Sequence, residues 1–332
     1  MHQHLRPKAL PKLSSALLLK LATAVLMVAA VIAASVVLLR GGVDLARHPM
    51  RLNVPLVLMS FAIGCSGLLV MIPVWRRVLA AFQCHASLRD HTRVYCYSML
   101  GVILPGGIWP MVSRSILYQR LGMDNVMVAA ASVVESLVIG IAAMAVYAVY
   151  VVVQPGAALW RRPEIGMAFA ALAAVLLYPR VFNRLANWAL ARRRPGAAPL
   201  VVRFRAGEML LWLVLEAVVV VSGGLALYVL LSSMIPVPLH VLGQLIGAWS
   251  AAVAVGNLFF WLPATSLLRD GVLVVALVGS ISLPLAVLFV VLARVWSIAS
   301  LLLVAGLVWL ALDYGYGRLR RIHRGGPRRA AG

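Results

Sequence analysis

Apolar runs long enough to cross a lipid bilayer recur along this chain. One of them is the stretch ALLLKLATAVLMVAAVIAASVVLL at 16–39, and an α-helix needs about 20 apolar residues to span the hydrocarbon core. Of the 332 residues, 63% are hydrophobic and only 12% are charged, which is about half the charged fraction of an ordinary soluble domain. The sequence therefore predicts an all-α polytopic membrane protein.

Hydropathy divides the chain into eight apolar segments of two kinds. Two of them, about 92–118 and 241–280, are interrupted by LPGGIWP and LPATSLLRDG. Proline ends a helix and glycine lets the chain turn, so we expect each of these two segments to form a re-entrant helical hairpin. The other segments are continuous and predict six full transmembrane helices, at 15–39, 54–75, 126–153, 165–179, 207–231 and 284–312.

The distribution of lysine and arginine supports this threading. With both interrupted segments folded back, the basic N-terminus (1–14), the loop 180–206 and the tail 313–332 lie on one side of the membrane. That side then holds 23 of the 30 Lys and Arg residues, and the opposite side holds five. The positive-inside bias identifies the richer side as cytoplasmic. We therefore expect a bacterial-type inner-membrane protein with both termini in the cytoplasm.

The two interrupted segments carry the same order of features, which predicts an inverted repeat within one membrane domain, 15–312. In each segment a leucine-proline break is followed by an arginine and then, about thirty residues after the proline, by one charge in a long apolar span. The first set is Pro105, Arg114 and Glu135, and the second is Pro263, Arg269 and Arg294. We expect repeat halves at about 15–179 and 207–312, with a binding site where the two broken helices meet.

The residues at the two breaks predict an anion site. The helix that restarts after each break has free N–H groups, which together with the helix dipole favour an anion. A guanidinium group nearby would complete a phosphate receptor. The predicted substrate-binding residues are Arg114, Arg269, Pro105, Gly106, Gly107, Pro263 and Asp270. Two alternatives remain: Arg114 snorkels to the cytoplasmic interface, or Arg269 and Asp270 neutralise each other at an interface.

Three further charges lie inside apolar runs, where an isolated charge costs about 2.5–3.5 kcal/mol on insertion scales. Glu135 and Arg294 occupy corresponding positions in the two repeats and have opposite signs. We expect them to form an ion pair across the repeat interface, which could be purely structural. Glu216 has no obvious partner, and Arg269, Arg294 and a substrate are the options. Glu135 and Glu216 are also candidate proton carriers.

No enzyme motif accompanies these charges. The seven histidines have no HExxH, paired-carboxylate or GxSxG context, there is no P-loop, and the three cysteines fit neither a metal site nor a disulfide framework. We expect no catalytic activity, no cofactor and no metal. The net charge of +21 lies mostly in loops and termini without interleaved aromatics, which argues against nucleic acid as a partner.

Several aromatic residues lie near the ends of the predicted spans. An aromatic belt at the membrane–water interface is the usual reason for this placement, so we expect these side chains at the interface rather than around a ligand. The residues are Trp75, Trp109, Trp160, Trp188 and Tyr178.

Three motifs carry a resemblance to a known family over about 15–312. They are WRRVLAAF at 75–82, LPGGIWPMVSRSILYQRLGM at 104–123 followed by Glu135, and LPATSLLRDGVLVVAL at 262–277 followed by Arg294. In this order they resemble the flippase-like transmembrane family typified by the membrane half of lysylphosphatidylglycerol synthases. The chain departs from the family pattern at Trp109, Pro110, Ala264, Thr265, Ser266, Ser136 and Asp270.

The resemblance implies translocation of lipids between leaflets by a stand-alone member without the synthetase half. The implied substrates are aminoacylated phospholipids, glycolipids or polyprenyl-phosphate sugars, that is, lipids with a polar or phosphate-containing headgroup. The partners would be the membrane, such an anionic lipid and an envelope glycosyltransferase or lipid-modifying enzyme. One alternative is a non-transporting accessory protein that scaffolds such an enzyme or an envelope-assembly complex. A membrane-embedded transferase is the other alternative.

Overall fold

The protein is helical wherever its structure is described. The computed structural model describes residues 15–42, 52–104, 106–156, 162–193, 203–262 and 265–314, and these ranges contain helices and turns but no strand. The predicted all-α class is therefore confirmed. Pro105 and Pro263, together with Trp160, the segment 1–14 and residues 315–332, lie outside the described residues.

The helices are numbered here in chain order. They are α1 (Ser15–Arg40), α2 (Val54–Ala81), α3 (Leu88–Met99), α4 (Trp109–Gln119), α5 (Asn125–Val153), α6 (Pro163–Leu177), α7 (Pro179–Arg193), α8 (Ala206–Ser232), α9 (His240–Leu258), α10 (Thr265–Leu277) and α11 (Leu283–Val308). A short 3₁₀ turn, Leu100–Ile103, follows α3, and α11 ends in one π-helical stretch, Trp309–Tyr314.

Within the described ranges, five helices are long and apolar enough to cross a membrane: α2, α5, α8, α9 and α11 with its π-helical end. Four of them coincide with the predicted spans 54–75, 126–153, 207–231 and 284–312, and the chain is therefore a multi-pass membrane protein. The fifth, α9, is the first limb of the second interrupted segment. The segments Val25–Arg40 and Pro163–Leu177 are apolar but shorter.

Helix α5 lies at the centre of the bundle. It packs against α4, α6, α8 and α9, and α8 in turn packs along α2. Of the five long helices, α5 is the most buried, with 61% of its most apolar window inside the protein, against 28% for α2. The exposed side chains on the outer helices are mainly valine and leucine, as expected for surfaces that face lipid. The one long helix with a largely protein-facing surface is thus the one that carries Glu135.

The first interrupted segment folds back on itself as α3, the 3₁₀ turn and α4, and α3 packs against α4. Gly101 makes this crossing possible, because an added Cβ would lie 2.8 Å from the backbone of Trp109 and Pro110. The turn also needs Gly106, whose φ of +98° is a conformation that other residues adopt only with strain. A helical hairpin at 92–118 was predicted, and the chain does fold back there.

The second interrupted segment folds back as α9 and α10, which pack together. The hydroxyl of Thr265 lies 2.7 Å from the carbonyl oxygen of Phe259 and 2.6 Å from that of Leu262, and it donates its proton to one of them. This contact fixes the first residue of α10 against the end of α9. The hydroxyl of Thr265 therefore holds the two limbs of the second hairpin together next to the break.

The tips of the two hairpins touch each other. A Cβ added to Gly107 would lie 3.0 Å from the carbonyl oxygen of Phe260 and 3.2 Å from its Cα. A side chain at Gly107 would force the two tips apart by a few tenths of an ångström, so glycine favours this close approach. The breaks in the two segments, 153 residues apart from Gly107 to Phe260 in the sequence, are therefore neighbours in the fold.

The connecting segment 180–206 contains a helix in its first half, α7 (Pro179–Arg193), to which the sequence analysis assigned no secondary structure. The segment PRVFNRLANWALARR has proline at its first helical position and then leucine, alanine and arginine, which are good helix formers. Its low mean hydropathy hid the helix from a search for membrane spans. Asn183 ties α7 to the following chain, donating to the carbonyl oxygen of Phe204 at 3.2 Å and accepting from its N–H at 2.8 Å.

Candidate functional site

A cavity of about 360 Å³ lies where the two hairpins meet the long helices. Both tips contribute to its wall, through Gly106 and Gly107 on one side and Phe260 on the other. The limbs of both hairpins and helices α2, α5, α8 and α11 supply the rest. Its volume is in the range of ordinary small-ligand pockets, about 300–1,000 Å³. The charged residues of the wall are Arg114, Glu135, Glu216, Arg269 and Arg294.

Arg114 is buried and fully engaged. Its guanidinium forms an ion pair with the Oε2 of Glu135 on the neighbouring helix α5. Its Nε donates to the hydroxyl of Ser98 at 3.2 Å. The same group stacks between two rings, 4.2 Å from the centre of Trp75 and 4.4 Å from that of Tyr95. Arg114 is 2% exposed, so it does not snorkel to an interface, and that alternative is wrong.

The aromatic residues around Arg114 are themselves held by a buried hydrogen-bond chain. The indole N–H of Trp75 donates to the hydroxyl of Tyr118 at 2.8 Å, and the Nδ1 of His91 lies 2.7 Å from the same hydroxyl. Tyr118 lies one helical turn after Arg114 on α4. The chain therefore fixes α4, and with it the guanidinium, against α2 and α3.

A second ion pair joins Arg294 on α11 to Asp270 on α10. The predicted pair between Glu135 and Arg294 is therefore wrong, since each has another partner. The reason is local. A short turn joins the second limb of each hairpin to the next long helix, α4 to α5 and α10 to α11. The joined helices are neighbours, so the charge on each limb pairs with the charge on the long helix that follows it. Asp270 therefore forms its ion pair with Arg294, and it acts on the adjacent Arg269 only as a nearby opposite charge.

Arg269 has a different environment from the other two arginines. Its guanidinium lies over the indole of Trp249, 5.5 Å from the ring centre, and no carboxylate lies within ion-pair distance among the described residues. Its Nε is buried without a hydrogen-bond partner. The side chain of Arg269 lies beside Gly256 on α9, where an added Cβ would make ordinary van der Waals contact with its Cδ at 3.7 Å. Arg269 is the cation of the cavity wall that has no counter-ion in the described part of the chain.

Glu216 is the corresponding anion. It lies in the middle of α8, is 0% exposed, and neither carboxylate oxygen has a hydrogen-bond partner in the described structure. The sequence left its partner open between Arg269, Arg294 and a substrate, and the structure gives it no partner among the described groups. One oxygen of Glu135, Oε1, is also buried without a partner. Among the described charged groups at the cavity, Arg114–Glu135 and Arg294–Asp270 form ion pairs, whereas Arg269 and Glu216 have no ion-pair partner.

The structure brings most of the predicted site residues together. Gly106, Gly107, Arg114 and Arg269 line the cavity, and Asp270 adjoins it through Arg294. Pro105 and Pro263 lie outside the described residues. In the described part of the chain, no group of three or more His, Cys, Asp or Glu side chains could hold a metal ion.

Sequence reasoning missed the aromatic part of the site. Trp75 was expected in the interfacial belt, but it is 0% exposed and stacks on Arg114. Trp188 and Tyr178 are exposed, and their place in a belt stays a prediction. The sequence feature that could have identified Trp75 is its place in WRRVLAAF, one of the three motifs that carry the family resemblance. A place in the interfacial aromatic belt does not account for that motif. Trp249 and His91 carried no signal, because a single aromatic residue in an apolar helix is usually a packing residue.

Comparison of the chain with protein-family models, with curated proteins and with solved structures finds no match in any of the three. The family resemblance therefore rests on the ordered motifs alone.

Proposed function

We propose that this protein is a lipid translocase that moves a lipid with a phosphate-containing or otherwise polar headgroup between the leaflets of the cytoplasmic membrane. The headgroup would be that of an aminoacylated phospholipid, a glycolipid or a polyprenyl-phosphate sugar. Reaction chemistry is not part of the proposal, and neither is a cofactor. The single observation that carries it is the unpaired Arg269 in a cavity where two broken helices meet.

Arg269 has the properties of an anion receptor. Arg269 is half-buried inside the bundle, with its Nε buried and unpartnered, and intramembrane charges without an ion-pair partner are functional-site candidates by default. A guanidinium binds phosphate through two parallel N–H bonds. The N-terminus of α10 lies one turn before Arg269 and adds favourable dipole electrostatics for an anion. Arg114, held by Glu135, would shape this site rather than bind the phosphate.

The surface around the hairpin tips is consistent with entry from lipid. Next to the cavity, large apolar side chains are exposed on both tips, among them Leu104 at 48% and Trp261 at 57%. A headgroup could enter the polar cavity here while its acyl chains stay in the bilayer. Since the tips touch at Gly107 and Phe260, passage of a headgroup between them requires the hairpins to part.

The proposal includes the topology that the sequence predicts. Six full spans and two re-entrant hairpins, with both termini cytoplasmic, would make the two repeats inverted copies of each other. The ion pairs support this repeat, because each joins the second limb of a hairpin to the next long helix: Arg114 to Glu135 and Asp270 to Arg294. Alternating exposure of a midplane cavity is the motion that such repeats permit.

Leaflet exchange of fluorescent phosphatidylglycerol in proteoliposomes tests the proposal. Wild-type protein should accelerate exchange, and Arg269→Ala should lose most of this activity while remaining folded. Arg120→Ala removes an exposed arginine outside the cavity and serves as the matched control, with the wild-type rate expected. Exchange by Arg269→Ala at the wild-type rate would contradict the site. No exchange of anionic or glycosylated lipid by folded wild-type protein would favour the accessory-protein alternative.

A further inference from the structure

We infer that Glu216 carries a proton whose release competes with lipid binding at Arg269, so that translocation is coupled to protons. This inference rests on the proposed function and adds its regulation. It begins from the isolation of Glu216: the residue is 0% exposed, and both oxygens are buried without a hydrogen-bond partner in the described structure.

A proton is the cation that fits this position. An ionised carboxylate here would be a buried charge without a counter-ion, which costs far more than a buried neutral acid. The headgroup amine of a lipid would need access to the carboxyl oxygens, and they have none in this conformation. Protonation removes the charge without requiring space, so the described conformation is one in which Glu216 is a neutral acid.

The groups that face the cavity around α8 leave Glu216 little choice of counter-ion. The carboxylate of Glu135 acts on it by charge repulsion. The wall residues of α2 and α9 are uncharged, and Arg114 and Arg294 are already paired. The facing ionisable groups are Tyr95 on α3, Arg114 on α4, Glu135 on α5, Arg269 on α10 and Arg294 on α11; Asp270, next to Arg269, is paired with Arg294. Arg269 is therefore the free counter-ion that a deprotonated Glu216 could recruit.

Competition for Arg269 couples the two ligands. When Glu216 is protonated, Arg269 is available to a lipid phosphate. When the proton leaves, the carboxylate draws Arg269 towards α8 as the cavity rearranges, and the phosphate is displaced. Binding of the lipid and binding of the proton then favour each other, and this coupling is reciprocal.

The test measures exchange of fluorescent phosphatidylglycerol in phosphatidylcholine vesicles at equal pH on both sides. Wild-type exchange should be about tenfold faster at about pH 6 than at about pH 8, a coupling of ordinary size. Glu216→Gln mimics the protonated acid and should exchange at the same fast rate at both pH values. Glu164→Gln removes a carboxylate exposed on α6 and should keep the wild-type pH dependence.

A binding measurement gives a second readout that does not depend on transport. At about pH 8, where the inference expects the deprotonated form of Glu216, adding short-chain phosphatidylglycerol to wild-type protein in weakly buffered detergent solution should cause proton uptake, and Glu216→Gln should take up none. The inference is overturned if wild-type exchange is insensitive to pH and lipid binding moves no proton, or if Glu216→Gln behaves as wild type. Absence of exchange at either pH, from folded wild-type protein, would instead overturn the translocation on which the inference rests.

Discussion

At the residue scale, the molecule is organised by how each buried charge is satisfied. Arg114 has a carboxylate, a hydroxyl and two aromatic faces, whereas Arg269 has one aromatic face and no counter-ion in the described structure. The two arginines lie in the second limbs of the two hairpins but in different surroundings: Arg114 is held within the first hairpin, and Arg269 is the residue to which the proposed function assigns the ligand. This asymmetry is what the stability predictions test.

The Arg114–Glu135 pair should show strong coupling. Glu135→Leu or Arg114→Met alone leaves a buried charge without a partner and should lower the free energy of unfolding by about 3–5 kcal/mol. The double variant should recover much of this loss, because neither charge remains. A double-mutant cycle from thermal unfolding in detergent measures the coupling, and additive losses would show that the two groups do not interact.

Tyr118→Phe should destabilise the first hairpin without removing a charge. The hydroxyl accepts from Trp75 and contacts His91, so its loss leaves two buried polar groups unpaired at a cost of about 1–3 kcal/mol. Thermal unfolding in detergent provides the measurement. Tyr178→Phe, at an exposed position, is the control and should unfold as wild type does. Equal melting temperatures for both variants would contradict the hydrogen-bond chain.

At the element scale, the two hairpins and their contact define the architecture. The sequence indicated the breaks, because proline and glycine interrupt apolar runs, and it indicated that the broken segments would meet. It did not indicate which charges pair. Ion pairing depends on which helices are neighbours, and the antiparallel packing of each hairpin limb with the next long helix brought Glu135 to Arg114 rather than to Arg294. The helix α7 was also missed, because the search was for membrane spans.

A disulfide should form between the hairpin tips in the variant Gly107→Cys with Phe260→Cys, made in a chain whose native Cys65, Cys84 and Cys96 are serine. A Cβ on Gly107 would lie 3.3 Å from that of Phe260, close to the roughly 3.5–4.5 Å of disulfides. Mass spectrometry of peptides from oxidised membranes identifies the bond. Each single-cysteine variant should stay reactive to maleimide, and free thiols in the oxidised double variant would contradict the contact between the tips.

At the scale of the whole molecule, the predicted orientation rests on the distribution of basic residues and on the number of spans. The cytoplasmic assignment of the termini depends on the first interrupted segment being re-entrant. If that segment crossed the bilayer fully, the sides of residues 120 and 164 would be exchanged. The apolar composition predicted a multi-pass membrane protein, and five described helices are long and apolar enough to span. Hydropathy alone does not distinguish a re-entrant hairpin from a full crossing of the membrane.

Cysteine accessibility distinguishes these topologies. In the cysteine-free chain, Glu164→Cys should react with a membrane-impermeant maleimide in intact cells, and Arg120→Cys should react only after permeabilisation. Both positions are exposed at helix ends, so neither substitution disturbs the core. The reverse pattern would show that 92–118 crosses the membrane and would contradict the inverted repeat.

The most direct test of the account measures leaflet exchange by the tip-to-tip double cysteine variant before and after reduction. The same protein in the same vesicles serves as its own control. If headgroups pass where the hairpins meet, the oxidised protein should exchange fluorescent phosphatidylglycerol no faster than empty vesicles, and reduction should restore the rate. Equal, protein-dependent exchange in the locked and reduced forms would contradict the claim that the hairpins part to let a lipid through.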